Sequence, residues 1–512
     1  MRAPDEQTAL AAGRVDESGP RGCQADGLCK PLPEEIAVGG GQALFLDGVS
    51  AGVARGEPSL WLGEERRPVM GWGAAPPGQR GTGAYWWALL RLEPALFGRA
   101  ETVSLPLAIA PRGKGRRELG ALHLRAQLPG LDAIGGRGGW GSGGEGFGHA
   151  RGGRSEGGGS SGVEAGRLGG GGVGGEGPRV AICMATYRPD PELFQRQIDS
   201  IRSQTHRSWI CLISDDGSGT RGLEAIERAI DGDERFVVVP ADRNRGIYRN
   251  FERALQLVPT AVDYIALADQ DDEWYPQKLA ELIAGIEPEA KLVYSDTRIV
   301  DSGGEVLSDT YWAYRDNNHT DYGSLVVANT VTGAASMFRR ELLKDVLPFP
   351  VRHGPLFHDH WIAQVAMTLG PISYVDRPLY DYVQHTDAAL GHLLANAGGR
   401  FSGSPWSRSR QTLRLLRGRG YHLGLRVPYF RLYCRVALAA SVLEMRCGKR
   451  AEDGKLALLR DLQEPAAAAR WLGRRVAAER LRTTETLGRE RLMLGALGWE
   501  WALRTRRRLA RG

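Results

Sequence analysis

Residues 264–274 read Y-I-A-L-A-D-Q-D-D-E-W, an apolar run of strand length that ends in a dense group of acids. Asp269, Asp271 and Asp272 are followed at once by Glu273. Like charges this close repel one another unless a cation or solvent compensates them. A hard divalent ion such as Mg²⁺ or Mn²⁺ prefers carboxylate oxygens and also bridges to phosphates. The stretch therefore predicts a buried strand that ends in a metal and phosphate site.

The sequence on either side of this stretch alternates strand-like and helix-like segments. Apolar runs of strand length precede it at residues 179–185, 209–214 and 235–239. Helical spacing of apolar residues follows Pro191, Ile247 and Pro276. Strands that are apolar on both faces and alternate with helices are typical of a mostly parallel sheet covered by helices. Ligands of such α/β sheets bind beyond the carboxyl ends of the strands.

Two other polar groups each allow two interpretations. The second predicted strand ends in S-D-D-G-S, residues 214–218, which suits a solvated turn or a carboxylate that binds a nucleobase or ribose. Residues 357–361, F-H-D-H-W, adjoin a further apolar helix. There Asp359 is predicted either to cap the helix or to act as a general base.

Taken together, four motifs resemble the family 2 glycosyltransferases, which have the GT-A fold. They are M-A-T-Y-R-P at 184–189, S-D-D-G-S at 214–218, N-R-G at 244–246 and L-A-D-Q-D-D-E-W-Y-P-Q-K-L at 267–279. The resemblance covers about residues 179–391. It implies a nucleotide-diphospho-sugar transferase fold and an inverting, metal-dependent transfer of a sugar from a nucleotide-sugar donor.

The same resemblance implies a role for individual residues. Donor binding is expected of Thr186, Tyr187, Asp216, Arg245, Asp269 and Gly333. Ligands of Mg²⁺ or Mn²⁺ are expected at Asp271, Asp269 and His385. Asp359 is expected to be the catalytic base, and Trp361 to stack on the acceptor sugar. The closing Y-R-Q-H element is altered, because Val383 stands in place of its arginine.

D-Q-D-D-x-W, H-D-x-W and x-Q-H in combination are similar to the rhamnosyltransferase-like branch of the family. This implies dTDP-rhamnose as donor and a glycan or lipid-linked saccharide as acceptor, in surface polysaccharide synthesis. Two alternatives stay open: a degenerate module that only binds nucleotide sugars or glycans, and a nucleotidyltransferase. The intact acids argue against the first, and the lack of a Gly-, Arg- or Lys-rich phosphate loop beside the first strand argues against the second.

Composition divides the rest of the chain. Much of the glycine, 70 residues in all, is concentrated in one segment, which predicts a flexible linker. The predicted parts are a disordered lead at 1–35, a small β-rich domain at 36–130, a Gly/Ser-rich linker at 131–178, the GT-A domain at 179–395 and a helical basic region at 408–512. That last region has 25 Lys and Arg against 9 Asp and Glu.

The expected location is the cytoplasm. The N-terminus lacks the pattern of a secretory signal, no apolar run suits a membrane span, and six cysteines in 512 residues do not indicate a disulfide scaffold. The basic region, with its tryptophans, is predicted either to pack on the catalytic domain or to contact the inner face of a membrane. Nucleic-acid binding is not expected, because no aromatic-basic RNA motif accompanies the arginines.

Overall fold

The computed structural model describes residues 27–50, 57–74, 84–111, 113–127, 177–314, 317–354, 356–384, 425–426, 428–478 and 486–509. They form two small β-sheets, then a larger sheet flanked by helices, then a group of helices. This confirms the predicted α/β class with an N-terminal β-rich part and a helical C-terminal part. No helix in these ranges is both long enough and apolar enough to span a membrane.

The N-terminal strands form two sheets, ordered β1-β3-β7-β6 and β2-β9-β8-β4-β5. The strands are β1 (Gly27–Leu28), β2 (Ile36–Ala37), β3 (Gln42–Ser50), β4 (Ser59–Leu62), β5 (Glu65–Arg67), β6 (Gly71–Ala74), β7 (Ala84–Leu92), β8 (Thr102–Ala110) and β9 (Arg117–Arg125). Because β1 pairs with β3, the predicted disordered lead at 1–35 is wrong for its last residues. Cys29, just after β1, is disulfide-bonded, which the sequence did not predict.

Alternation along β7 gives its two faces different partners. Trp86 is fully buried in the core between the two small sheets. Its neighbour Trp87 points the other way, because successive side chains of a strand lie on opposite faces. The Trp87 ring lies 5.3 Å from the ring of Phe430 and 6.0 Å from that of Tyr429, in the C-terminal part. The small β-rich part is therefore packed against the rest of the protein through an aromatic contact.

The larger sheet has the strand order β12-β11-β10-β13-β17-β15-β18-β14, with β16 paired to β15. Its strands are β10 (Val180–Thr186), β11 (Trp209–Asp215), β12 (Phe236–Pro240), β13 (Tyr264–Ala268), β14 (Glu273–Trp274), β15 (Leu292–Asp301), β16 (Val306–Ser308), β17 (Ser336–Arg339) and β18 (Ile372–Gln384). Strands β10 to β13 are mutually parallel, as predicted, and β17 runs antiparallel to both of its neighbours.

Helices connect these strands. They are α1 (Pro191–Arg202), α2 (Gly219–Ile230), α3 (Ile247–Gln256), α4 (Lys278–Gly285), α5 (Tyr322–Val327), α6 (Leu343–Val346) and α7 (His358–Leu369). Helix α1 begins as predicted, since the Asp190 side chain accepts hydrogen bonds from the backbone of Glu192 and Leu193. Helix α4 begins two residues after Pro276, and Ile247 of α3 is 42% exposed rather than buried.

Every residue of β10 is buried, which explains its continuous apolar sequence. Its register pairs Thr186 with Asp215 on β11 and Met184 with Ala268 on β13. The carboxyl ends of three strands therefore meet at one edge of the sheet. This edge receives the residues that follow β11 and β13, including the acidic stretch.

The C-terminal helices are α8 (Cys434–Cys447), α9 (Asp453–Gln463), α10 (Pro465–Ala478) and α11 (Thr486–Leu509). Helix α8 is buried on nearly all sides and packs on both α7 and β3. Its Arg446 donates to the carbonyl oxygens of Gly41 at 2.8 Å and of Asp345 at 2.9 Å. Helix α8 thus joins the β-rich part to the larger sheet and its helices.

Candidate active site

Two glutamines fix the acidic loop, which we define as residues 269–273: one ties it to the residue after β10 and the other ties it to α1. The Gln270 carbonyl accepts a hydrogen bond from the Tyr187 backbone at 2.8 Å. The Gln197 amide, buried on α1, donates to the backbone carbonyl of Asp269 at 3.1 Å. Neither glutamine was singled out from the sequence. Gln270 lies inside the D-Q-D-D motif, whereas nothing in the sequence marks Gln197.

Asp269 and Asp271 are both half-buried in this loop. Burial, the charge of Asp271 and the charge of Asp359 together raise the pKa of Asp269 to about 7. Asp359 acts on the pKa of Asp269 although it lies on helix α7, 90 positions further along the chain. The structure therefore brings the predicted metal acids and the predicted base into one electrostatic neighbourhood.

Asp359 lies in the first turn of α7 and is not its N-cap, a position held by Phe357. The backbone of His360 donates to its carboxylate at 2.6 Å, and the Gly333 backbone and the Asn329 side chain also bond to it. Burial, the largest effect, raises the pKa of Asp359 to about 6 in spite of these bonds. A carboxyl with a pKa near 6 is ionised at neutral pH and still a useful proton acceptor.

Gly333 lies in the glycine loop, which we define as residues 332–335, and it begins a turn of 3₁₀ helix, Gly333–Ala335. A Cβ atom at Gly333 would lie 2.9 Å from Nε2 of His358 and 3.4 Å from Cβ of Asp359. His358 cannot easily move, because its ring stacks on Phe251 at 3.7 Å. Glycine is needed here so that the loop can approach the base. Burial lowers the pKa of His358 to about 3, so this histidine is neutral and serves packing.

On the other side of the site, Asp216 organises a turn. Its carboxylate accepts the backbone N–H groups of Arg245 and Gly246, both at 2.8 Å. Tyr187 is half-buried, and the guanidinium of Arg188 lies 5.0 Å from the centre of its ring. Tyr187, Asp216 and Arg245, all predicted to bind the donor, are thus grouped beyond the ends of β10 and β11.

Thr186 is differently placed from what was expected. Its side chain is buried, and its hydroxyl lies 3.4 Å from both the Ser214 carbonyl and the Asp215 carboxylate. Asn250 of α3, another residue that the sequence did not indicate, bonds to the backbone carbonyls of Thr186 and Ser214 at 3.1 and 2.8 Å. The Thr186 side chain therefore ties strands together and is not directed at a base.

The expectation that Trp361 stacks on an acceptor is contradicted by the structure. Trp361 is fully buried, and its indole N–H donates to the Val346 carbonyl at 2.9 Å. Asp359 and Trp361 are two positions apart on α7, so their side chains lie on opposite sides of the helix. When Asp359 faces the site, Trp361 must face the core. His385, the third expected metal ligand, lies outside the described residues.

The acidic loop suits a small divalent ion. Asp269 and Asp271 offer hard carboxylate oxygens, and Mg²⁺ is usually held by one or two carboxylates together with substrate phosphates and water. In the part of the chain that the structure describes, no group of three acidic, histidine or cysteine side chains encloses a metal position. A site of this type would be completed by the phosphates of a bound nucleotide.

Comparison with known proteins supports one family. Residues 181–347 match the model described as Glycosyl transferase family 2. The putative glycosyltransferase EpsH of Bacillus subtilis (strain 168) is 26% identical over 223 residues, which cover 42% of this chain and 63% of EpsH. The uncharacterized protein y4gI of Sinorhizobium fredii is 30% identical over 131 residues. The chain therefore spans less than two thirds of the length of EpsH and 14% of the length of y4gI.

Two solved structures resemble this one weakly. Residues 1–349 of S. aureus TarS in complex with UDP-GlcNAc align at a TM-score of 0.36 and 15% identity, covering 64% of this chain and 92% of that one. The mannosyltransferase PcManGT of Pyrobaculum calidifontis, in complex with GDP-Man and Mn²⁺, aligns at a TM-score of 0.31 and 16% identity, covering 64% and 87%. At such scores the likeness adds no weight to the family match. Residues 181–347 of this chain are thus similar to glycosyl transferase family 2, and the acids gathered at the sheet edge lie within the matched segment.

Proposed function

We propose that the chain is an inverting, metal-dependent glycosyltransferase that moves a sugar from a nucleotide-sugar donor to a saccharide or lipid-linked acceptor. One observation carries this proposal. Asp359, on helix α7, lies close enough to the acidic loop to raise the pKa of Asp269. A single substrate could therefore meet the nucleotide-binding side and a general base at the same time.

In this reaction Asp359 removes the proton from an acceptor hydroxyl. The acceptor oxygen then forms a bond to the anomeric carbon of the sugar, as the bond from that carbon to the diphosphate oxygen breaks. Attack from the face opposite the leaving group inverts the anomeric configuration. The proton ends on the Asp359 carboxyl, and the electron pair ends on the nucleoside diphosphate. A divalent ion held by Asp269 and Asp271 would supply positive charge for that leaving group.

Tyr187, Asp216 and Arg245 are proposed to bind the donor, because they surround the sheet edge beside the acidic loop. Gly333 is proposed to lie against the donor sugar, since its loop reaches the base without a side chain in the way. The nucleotide sugar itself is proposed to be dTDP-rhamnose, and the pathway to be surface polysaccharide synthesis. The support for both is the motif combination D-Q-D-D-x-W, H-D-x-W and x-Q-H.

The direct test is nucleotide release from a panel of nucleotide sugars, with Mg²⁺ or Mn²⁺, by the wild type and by Asp271→Asn. Glu273→Gln is the matched control, because Glu273 is exposed in the same loop. We expect metal-dependent release that Asp271→Asn abolishes and Glu273→Gln keeps, with an inverted anomeric signal in the product by NMR. Release from another nucleotide sugar would discard the rhamnose assignment alone. A wild type that binds neither nucleotides nor nucleotide sugars would overturn the whole proposal.

The proposed place of action is the cytoplasmic face of a membrane, where lipid-linked acceptors are found. Helix α11 belongs to the basic region and carries Trp501, which is 68% exposed. Basic helices with exposed tryptophan favour the interface of anionic membranes. In flotation assays we expect the protein to rise with phosphatidylglycerol vesicles, Trp501→Ala to do so less, and neither to rise with neutral phosphatidylcholine vesicles. Equal behaviour of both proteins with both vesicles would exclude this contact.

A further inference from the structure

A lysine lies fully buried beneath the proposed site. Lys278, at the start of α4, has no exposed surface, and its Nζ lies 3.7 Å from the centre of the Trp274 ring and 4.3 Å from that of Tyr380. Its ammonium donates a hydrogen bond to the carbonyl oxygen of Ala334. Taking an ammonium group out of water costs several kcal/mol, so a buried lysine needs compensation by negative charge.

That compensation comes from the acidic loop. Asp272 is 1% exposed, and neither of its carboxylate oxygens has a hydrogen-bond partner of normal geometry. Burial lowers the pKa of Lys278 and raises that of Asp272, and the attraction between the two charges opposes both shifts. Asp269 also attracts the ammonium.

The same ammonium reaches the other half of the site. Ala334, which accepts its hydrogen bond, belongs to the glycine loop, and the backbone of the preceding residue, Gly333, bonds to the Asp359 carboxylate. Lys278 therefore connects Trp274, the residue that directly follows the acidic loop, with Ala334 of the glycine loop, whose neighbour Gly333 bonds to the base.

We propose that Lys278 is a positioning residue for sugar transfer, whose buried ammonium holds the acidic loop and the glycine loop in a fixed relation. The inference rests on the proposed function, because it assigns the acids to the donor side and Asp359 to the acceptor side. In transfer reactions a displacement of about 1 Å can cost roughly 100-fold in rate. The gain in rate from a rigid link between the acidic loop and the glycine loop can therefore offset the free-energy cost of burying a charge.

The test compares Lys278→Met, Asp272→Asn and the double variant with the wild type. Lys278→Met keeps most of the side-chain volume but removes the positive charge that attracts buried Asp272, so we expect its melting temperature to fall. The double variant removes both charges, so its melting temperature should recover, as should its binding of Mn²⁺ with a nucleoside diphosphate. Its kcat should nevertheless stay roughly 10- to 100-fold below that of the wild type, with KM for the donor little changed.

Hydrogen exchange separates this inference from the proposed function. Amides in the glycine loop should exchange faster in both variants that lack Lys278, whether or not the protein turns over any sugar. If the double variant regains both kcat and slow exchange, Lys278 only neutralises Asp272 and the positioning role is overturned. If the wild type shows no transferase activity, the proposed function fails, and the exchange rates alone still decide whether Lys278 links the two loops.

Discussion

At the scale of single residues, the pKa of Asp359 has a direct consequence for activity. Burial raises it to about 6, so the carboxyl is ionised at neutral pH and protonated below that value. A general base works only when deprotonated. We expect kcat/KM to be level only well above pH 7, where Asp269, with its pKa of about 7, is also ionised, and to fall at least tenfold per pH unit well below pH 6. A pH–rate profile without an acid limb near pH 6 would argue against Asp359 as the base.

The matched variant is Asp359→Asn, which keeps the shape of the side chain and removes its basicity. Loss of general-base catalysis typically costs about 100- to 10,000-fold in rate. Binding of Mn²⁺ and nucleotide should persist, as measured by calorimetry, because the acidic loop is untouched. Thermal stability at pH 7 should not fall, since burial raises the pKa of Asp359 and the fold therefore disfavours its ionised form.

Gly333 is a residue where a single methyl group should be harmful. In Gly333→Ala the new Cβ would lie 2.9 Å from Nε2 of the immobile His358. We expect a loss of about 1–3 kcal/mol in the free energy of unfolding, measured in urea, together with lower activity. Gly473→Ala is the control, because that glycine lies in α10 with nothing within 4 Å of its Cβ position. The control should be neutral or more stable by about 0.5–1 kcal/mol.

At the scale of elements, strands were easier to predict than the orientation of side chains. Uninterrupted apolar runs and acids that follow them indicate both β13 and the position of its acidic loop, because ligands gather at strand ends. The reversed strand β17 carries no such signal, since its S-M-F-R sequence would suit either direction. Trp361 shows the remaining difficulty: a motif identifies neighbours in sequence, but the 3.6-residue helical period places them on different faces.

Hydrogen bonds from side chains to distant backbone carbonyls were not predicted from the sequence either. Gln197, Asn250 and Lys278 each bond to a main-chain carbonyl that is distant in sequence. Such partners depend on how elements meet in space, and a single sequence does not record that. They nevertheless fix the acidic loop, the join between β10 and β11, and the glycine loop. What the sequence predicted was the chemistry of the site, and what it missed was the support beneath it.

Asn250 provides a test at this scale. Its side chain bridges the carbonyls of Thr186 on β10 and Ser214 on β11. Replacing it with leucine leaves these buried acceptors without that donor, and an unsatisfied polar group costs about 1–3 kcal/mol. We expect urea denaturation of Asn250→Leu to show a loss of this size. Ile247→Ala, on the same helix but 42% exposed, should change the stability far less. Equal losses would show that the bridge is unimportant.

At the scale of the whole molecule, the aromatic contact made by Trp87 holds the β-rich part to the rest. Truncating a buried tryptophan typically costs about 3–5 kcal/mol. We expect Trp87→Ala to separate the unfolding of the two parts in calorimetry, so that one thermal transition becomes two. Trp86→Ala is the comparison, because Trp86 lies inside the β-rich core. Its loss should directly lower the temperature at which the β-rich part unfolds. A single unchanged transition in Trp87→Ala would mean that the other contacts, such as that of Arg446 with Gly41, are enough to couple the two parts.

Helix α8 also bears on the order in which the protein can fold during its synthesis. Its buried face covers α7, and its Arg446 bonds to residues of both earlier parts, yet it is translated after all of them. A ribosome that adds about 5–20 residues per second needs several seconds to pass from the end of β18 to the end of α8. During that interval an apolar face of the catalytic domain stays uncovered. The nascent chain should therefore be a client for chaperones until α8 emerges, and a gene fragment that stops before α8 should yield aggregates.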